Sequence, residues 1–153
     1  MIETPHIVQS TSVPTAVIHL TVPASEIRTV MGPGIQELVA AIKAQGSSPA
    51  GPWFTYHFKR PSTVFDFEIS MPVTTPVTAT GRMKPSRLEA RTVARTVYHG
   101  GYEGLAEAWG ELLAWMEKNG HKSAVDLWEC YSVGPESSSN PADWRTELNC
   151  PLL

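Results

Sequence analysis

Apolar residues recur at helical spacing in two stretches of the chain. From Gly34 to Gln45, Ile35, Leu38, Val39 and Ile42 fall at i, i+3, i+4 and i+7, which predicts an amphipathic helix closed by Gly46. Upstream, Pro23-Ala24-Ser25-Glu26 predicts an earlier turn with Ser25 as N-cap. Met31-Gly32-Pro33-Gly34 then predicts that this first helix is kinked or split. From Tyr102 to Asn119 the stripe is Leu105, Trp109, Leu112, Leu113 and Met116, with Gly120 as the stop; it reads as core.

The remaining pattern has period two. Strands are expected at 15–22, 53–58, 63–71, 88–98, 125–133 and 144–150, where β-branched and aromatic residues concentrate. Segments 47–52, 74–86 and 134–141 are rich in Gly, Pro, Ser and Thr and read as connectors. The order of elements is therefore β-α-β-β, twice. A short match supports duplication: Glu68-Ile69-Ser70-Met71-Pro72 aligns with Glu147-Leu148-Asn149-Cys150-Pro151. The expected organisation is one domain over 1–153, with one repeat at about 5–77 and the other at about 88–153. The expected fold class is α+β: tandem β-α-β-β units forming an antiparallel sheet, with helices on one face and a groove on the other.

Alternation then assigns side chains to faces. Phe65, Phe67 and Ile69 are expected to face the helix, leaving Glu68 with Asp66 on the groove side. In the last strand, Thr146, Leu148 and Cys150 take the helix side and Arg145, Glu147 and Asn149 the groove side. In the strand before it, Trp128 and Cys130 are placed inward and Glu129 and Tyr131 in the groove; Leu127 is a misfit in that phase. Trp53, Tyr56, Tyr98, Tyr131 and Trp144 lie nearby in sequence. The alternation does not decide whether Trp53, Thr55 and His57 or Phe54, Tyr56 and Phe58 face the groove. Carboxylates among aromatic faces suit flat, lipophilic, often cationic small molecules.

Composition narrows the class. Twelve Lys and Arg against fifteen Asp and Glu give a net charge of -3, without the basic footprint of a nucleic-acid binder. No apolar run is long enough to span a bilayer, and residues 1–10 lack the apolar core of a signal peptide, so a cytoplasmic protein without membrane contact is expected. Cys130 and Cys150 make no disulfide framework and are expected as buried free thiols, both inward. The five histidines show no metal spacing and Gly32-Pro33-Gly34 is no phosphate loop, so neither a metal nor a cofactor is expected.

Three stretches carry a resemblance. Tyr98-His99-Gly100-Gly101-Tyr102-Glu103-Gly104-Leu105, continued by Trp109, Leu112, Trp115 and Gly120, is one. Trp128-Glu129-Cys130-Tyr131 and Trp144-Arg145-Thr146-Glu147-Leu148 with Pro151-Leu152 are the others. Together they resemble the GyrI-like small-molecule-binding superfamily, which includes effector-binding domains of AraC-type and MerR-type regulators and gyrase inhibitory proteins. The resemblance is specific from Tyr98 to Leu152 and architectural from Thr15 to Val73. It implies a tandem β-α-β-β fold that binds hydrophobic or cationic ligands between the halves, with Glu147 as electrostatic anchor. It also implies two alternatives: hydrolysis of strained cyclopropane-type genotoxic compounds, or a gyrase-inhibitor-like interaction with a protein.

The expected ligand-binding residues are Glu147, Glu129, Tyr131, Tyr98, Trp53, Tyr56, Glu68 and Trp144; Glu147, Glu129 and Tyr131 are the catalytic candidates if the ligand is hydrolysed. No helix-turn-helix segment accompanies the repeats, so direct nucleic-acid binding is not expected. The expected partner is a small molecule, and the expected state a monomer or homodimer.

Overall fold

A computed structural model describes all 153 residues, Met1–Leu153. The strands are β1 (His6–Gln9), β2 (Val13–Pro23), β3 (Phe54–His57), β4 (Val64–Pro72), β5 (Met83–Leu88), β6 (Thr92–His99), β7 (Leu127–Val133) and β8 (Arg145–Pro151). The helices are α1 (Ile27–Ala44) and α2 (Leu105–Lys118), each entered through a 3₁₀ turn. Neither helix is long and apolar enough to cross a membrane. The fold class is α+β, with two compact units: Thr11–Ala90, and Arg91–Leu153 together with Met1–Ser10.

In the Thr11–Ala90 unit the strand order is β5-β2-β4-β3, all antiparallel. Gly34, Leu38 and Ile42 are the fully buried stripe of α1 and pack on Ile18, Phe67 and Ile69. Gly34 brings the helix close to β4: a Cβ there would stand 2.5 Å from Ile69 Cδ1. The helix does not split at Pro33, and it starts at Ile27 rather than after Ser25. Pro33 lies early in an 18-residue helix, where its missing N–H removes one bond while the packed stripe holds the rest.

In the other unit the order is β1-β6-β8-β7, again antiparallel. Ala108, Leu112 and Met116 of α2 pack on Ala94, Tyr98, Leu148 and Cys150. The two helices end alike, with Gly46 and Gly120 at φ 75° and 76°, the left-handed conformation that closes a helix without Cβ strain.

Two edge strands escape the sequence pattern. β5 falls in a stretch read as connector, and β1 in one given no element. β5 contains Pro85, which cannot donate to a ladder and so fits an edge; β1 has only four residues. Each of these strands is separated from the next strand in sequence by a three-residue link, yet pairs in the opposite unit: β1 with β6 and β5 with β2. Leaving them aside, each unit is one β-α-β-β repeat.

Candidate ligand-binding site

The register of β7 against β8 decides where the carboxylates point. Glu129 lies opposite Leu148 and Tyr131 opposite Thr146, whereas Trp128 lies opposite Asn149 and Cys130 opposite Glu147. Directly opposed residues share a face. Leu127, Glu129 and Tyr131 therefore face helix α2, and Trp128 and Cys130 face away. This reverses the expected phase of β7: Glu129 and Glu147 do not share a surface, and Cys130 and Cys150 lie on opposite faces. Trp128 is 2% exposed, so β7 is covered on both sides, and alternation alone could not fix its phase.

On the helix face Glu129 accepts two hydrogen bonds. Trp109 Nε1 of α2 donates to Oε2 at 2.6 Å, and the Tyr131 hydroxyl donates to Oε1 at 2.5 Å. Protein surrounds the carboxylate on nearly all sides, yet part of the residue's surface stays accessible. Burial raises its pKa above the ordinary carboxylate range, and the two hydrogen bonds oppose that rise. Tyr102 stands edge-on to Tyr131 with ring centroids 5.8 Å apart, and Trp144 lies 4.9 Å from Tyr102. Trp144 is held by its Nε1 donating to the Ser138 carbonyl. Four aromatic rings thus gather near one buried carboxylate, an arrangement that offers a cation both charge and π faces.

The duplicated unit shows that the fold does not require this arrangement. Matching the registers β3–β4 and β7–β8 sets Thr55 in the place of Glu129 and His57 in that of Tyr131. Matching the buried helical stripes sets Ile35 in the place of Trp109. His57 Nε2 and Thr55 Oγ1 are 3.1 Å apart, a neutral echo of the Tyr131–Glu129 bond. His57 stacks on Phe67, and burial lowers its pKa to about 4. The same architecture closes without charge in one unit and with a desolvated carboxylate in the other. A costly group that the fold can do without points to function.

The other expected residues are distributed more widely. Glu147 is on the face away from α2, 3.5 Å from Arg95 Nε, and accepts from Asn149 Nδ2 at 3.1 Å. Arg95 Nε also donates to Asn149 Oδ1 at 2.7 Å, so Glu147 belongs to a side-chain network. Cys130 on that face has its thiol pKa pushed up to about 12, chiefly by burial. Tyr98 is 6% exposed in the α2 core, its hydroxyl donating to the Gly101 carbonyl at 2.8 Å. In the Thr11–Ala90 unit, Tyr56 and Glu68 are directly opposed and share the face away from α1, while Trp53 packs against the α1 core. Burial raises the Glu68 pKa, partly countered by His19. Among the expected residues of the unit that carries α2, Glu129, Tyr131 and Trp144 come together, while Glu147 lies on the opposite face and Tyr98 in the core. Trp109 and Tyr102 complete the cluster. Trp109 carried a signal in sequence, a polar-tipped ring on an otherwise aliphatic stripe.

The family model for the GyrI-like small molecule binding domain matches residues 3–153. Among solved structures, the C-terminal domain of EcmrR superposes with a TM-score of 0.87 at 22% identity, covering 98% of this chain and 97% of that one. EcmrR in its DNA complex gives 0.86 at 23% identity; 97% of this chain is covered, and it spans 57% of the EcmrR chain. SAV2435 bound to tetraphenylphosphonium gives 0.72 at 11% identity, with 99% and 94% covered. A hydrolase from Listeria innocua gives 0.68 at 14% identity, with 97% and 91% covered. No match to a curated protein was found. At these identities the likenesses establish the fold, and the match along nearly the whole sequence establishes the family: the chain belongs to the GyrI-like small-molecule-binding domains.

Proposed function

We propose that the chain captures lipophilic organic cations at Glu129 and the rings gathered around it. The observation that carries this reading is the carboxylate held by Trp109 and Tyr131, where the duplicated unit has only Thr55, His57 and Ile35. A cation entering there gains the carboxylate's charge and the ring faces of Tyr102, Tyr131 and Trp144, and its apolar substituents leave water. Glu129 replaces Glu147 as the anchor in this reading, because Glu147 already has Arg95 and Asn149 as partners. SAV2435, with the same fold, was solved with tetraphenylphosphonium bound, which makes that ion the natural first probe. Titrating it while following Trp fluorescence tests the proposal. Saturable quenching that weakens in Glu129→Gln supports it, and equal binding by both proteins rejects it.

A second reading rests on the raised pKa of Glu129 beside the Tyr131 hydroxyl. Raising its pKa strengthens a carboxyl group's hold on its proton, which it can donate to a leaving atom before accepting one from an attacking water. The substrate class is a strained, cyclopropane-type electrophile. Adding such a compound and recording its mass separates the two readings: turnover adds one water, and capture leaves the mass unchanged.

A further inference from the structure

Two hydroxyls beside the Glu129 cluster are buried and have no hydrogen-bond partner in the protein: Tyr102 Oη and Thr146 Oγ1. Thr146 is 0% exposed and sits directly opposite Tyr131. Tyr102 stands edge-on to the same ring. Buried hydroxyls without partners are uncommon and costly, and here both flank one aromatic side chain. Burial and the nearby Glu136 and Glu129 push the Tyr102 pKa up to about 12, so at neutral pH its hydroxyl is a donor.

The surroundings of Tyr102 leave that donor in waiting. Its oxygen lies against Gly134, where a Cβ would be 2.8 Å away; the Glu136 carboxylate borders the same point at 3.0 Å. Gly134 opens the connector between β7 and β8. The connector is tied mainly to itself: Ser137 and Ser138 N–H groups donate to the Gly134 carbonyl, Ser138 Oγ to Asp143, and Trp144 Nε1 to Ser138.

We infer that Tyr102 is a specificity-determining residue: the ligand carries an acceptor oxygen as well as a positive centre, and Tyr102 donates to that oxygen while Glu129 takes the charge. The favoured class is therefore aromatic cations bearing a carbonyl or similar acceptor, ahead of equally large cations without one. This inference rests on the proposed cation-binding role of Glu129 and adds a second point of recognition to it.

The test uses a matched pair, N-methyl-4-benzoylpyridinium and N-methyl-4-benzylpyridinium, which differ by a carbonyl in place of a methylene. Tetraphenylphosphonium is the acceptor-free reference. The wild-type chain should bind the benzoyl compound about 3- to 10-fold more tightly than the benzyl compound, the range one hydrogen bond supports. Tyr102→Phe keeps the ring and removes only the hydroxyl, so it should erase that preference. If tetraphenylphosphonium binds and wild type shows no preference within the pair, the inference falls while the function reading stands. Equal loss for all three probes in Tyr102→Phe also overturns it, because the hydroxyl then serves the fold. If tetraphenylphosphonium fails to bind wild type, the function reading falls and this inference with it.

Discussion

Glu129 and Glu147 stand on neighbouring strands and point to opposite faces of the sheet they share. One is enclosed by rings against α2; the other is paired with Arg95 and Asn149. Two like substitutions should therefore have unlike effects. Glu129→Gln is expected to weaken tetraphenylphosphonium binding by about 10- to 100-fold, the scale of losing a charge-assisted interaction. Glu147→Gln should leave affinity within roughly twofold and cost at most about 1 kcal/mol of stability, since both partners remain partly solvated. Fluorescence titration and urea denaturation of the two variants check both statements.

Stability should respond to pH in two opposed ways. His57 has its pKa lowered to about 4, so the folded state refuses a proton that the unfolded chain accepts below about 6.5. Its contribution is fully present above that value and is lost as pH falls toward 4, on the order of 3 kcal/mol. Glu129 has a raised pKa, so the folded state keeps a proton that the unfolded chain releases. Its contribution is present in acid and is lost as pH rises through the folded-state pKa. Urea midpoints measured from pH 4 to 8 should show the acid loss flattened in His57→Phe. They should also show Glu129→Gln gaining on wild type as pH rises. Cation binding runs against the latter trend and strengthens as Glu129 ionises.

Within the run Tyr98-His99-Gly100-Gly101-Tyr102-Glu103-Gly104, one hydroxyl accounts for the last glycine. Tyr98 Oη donates to the Gly101 carbonyl, and Gly104 leaves no room for a side chain beneath that oxygen. Gly104→Ala should cost about 1–3 kcal/mol, or roughly 2–12 °C in Tm. Adding Tyr98→Phe removes the oxygen in the way, so the double variant should be more stable than the sum of its single changes. A double-mutant cycle by thermal denaturation reads the coupling; strict additivity would mean that the two residues do not meet.

The sequence pattern reached the helices, their glycine stops and most strands because each had one wet face and one dry face. Phe67 and Ile69 are fully buried against α1, while Glu68 and Asp66 point away, as alternation requires. It failed at β7, where Trp128 on one side and Leu127 and Tyr131 on the other are all buried, so period two carried no sign. Leu127, awkward in the expected phase, was the residue that marked the true one. The site was partly readable for the same reason: Glu129, Tyr131 and Trp144 are of the right kinds. Which of them meet depends on cross-strand register and on Trp109 reaching over from α2, and no local spacing encodes either.

The strand β1 makes a further expectation concrete. The Glu3 N–H donates to the Val97 carbonyl, Thr96 Oγ1 to the Glu3 carbonyl, and Ser10 and Arg91 exchange three bonds, while Ile2 packs on the α2 core. Removing residues 1–10 should lower stability by about 3 kcal/mol or more, at roughly 0.5–1.5 kcal/mol per bond. A synthetic peptide of those residues added in trans should recover part of the loss. Thermal scans with and without the peptide decide it.

That strand also sets a timetable for biosynthesis. The pairing partner of β1 is β6, which is not translated until more than eighty further residues have been added. β1 must stay unpaired through that interval, and a ribosome stalled before residue 92 would carry a chain in which this strand has nowhere native to go.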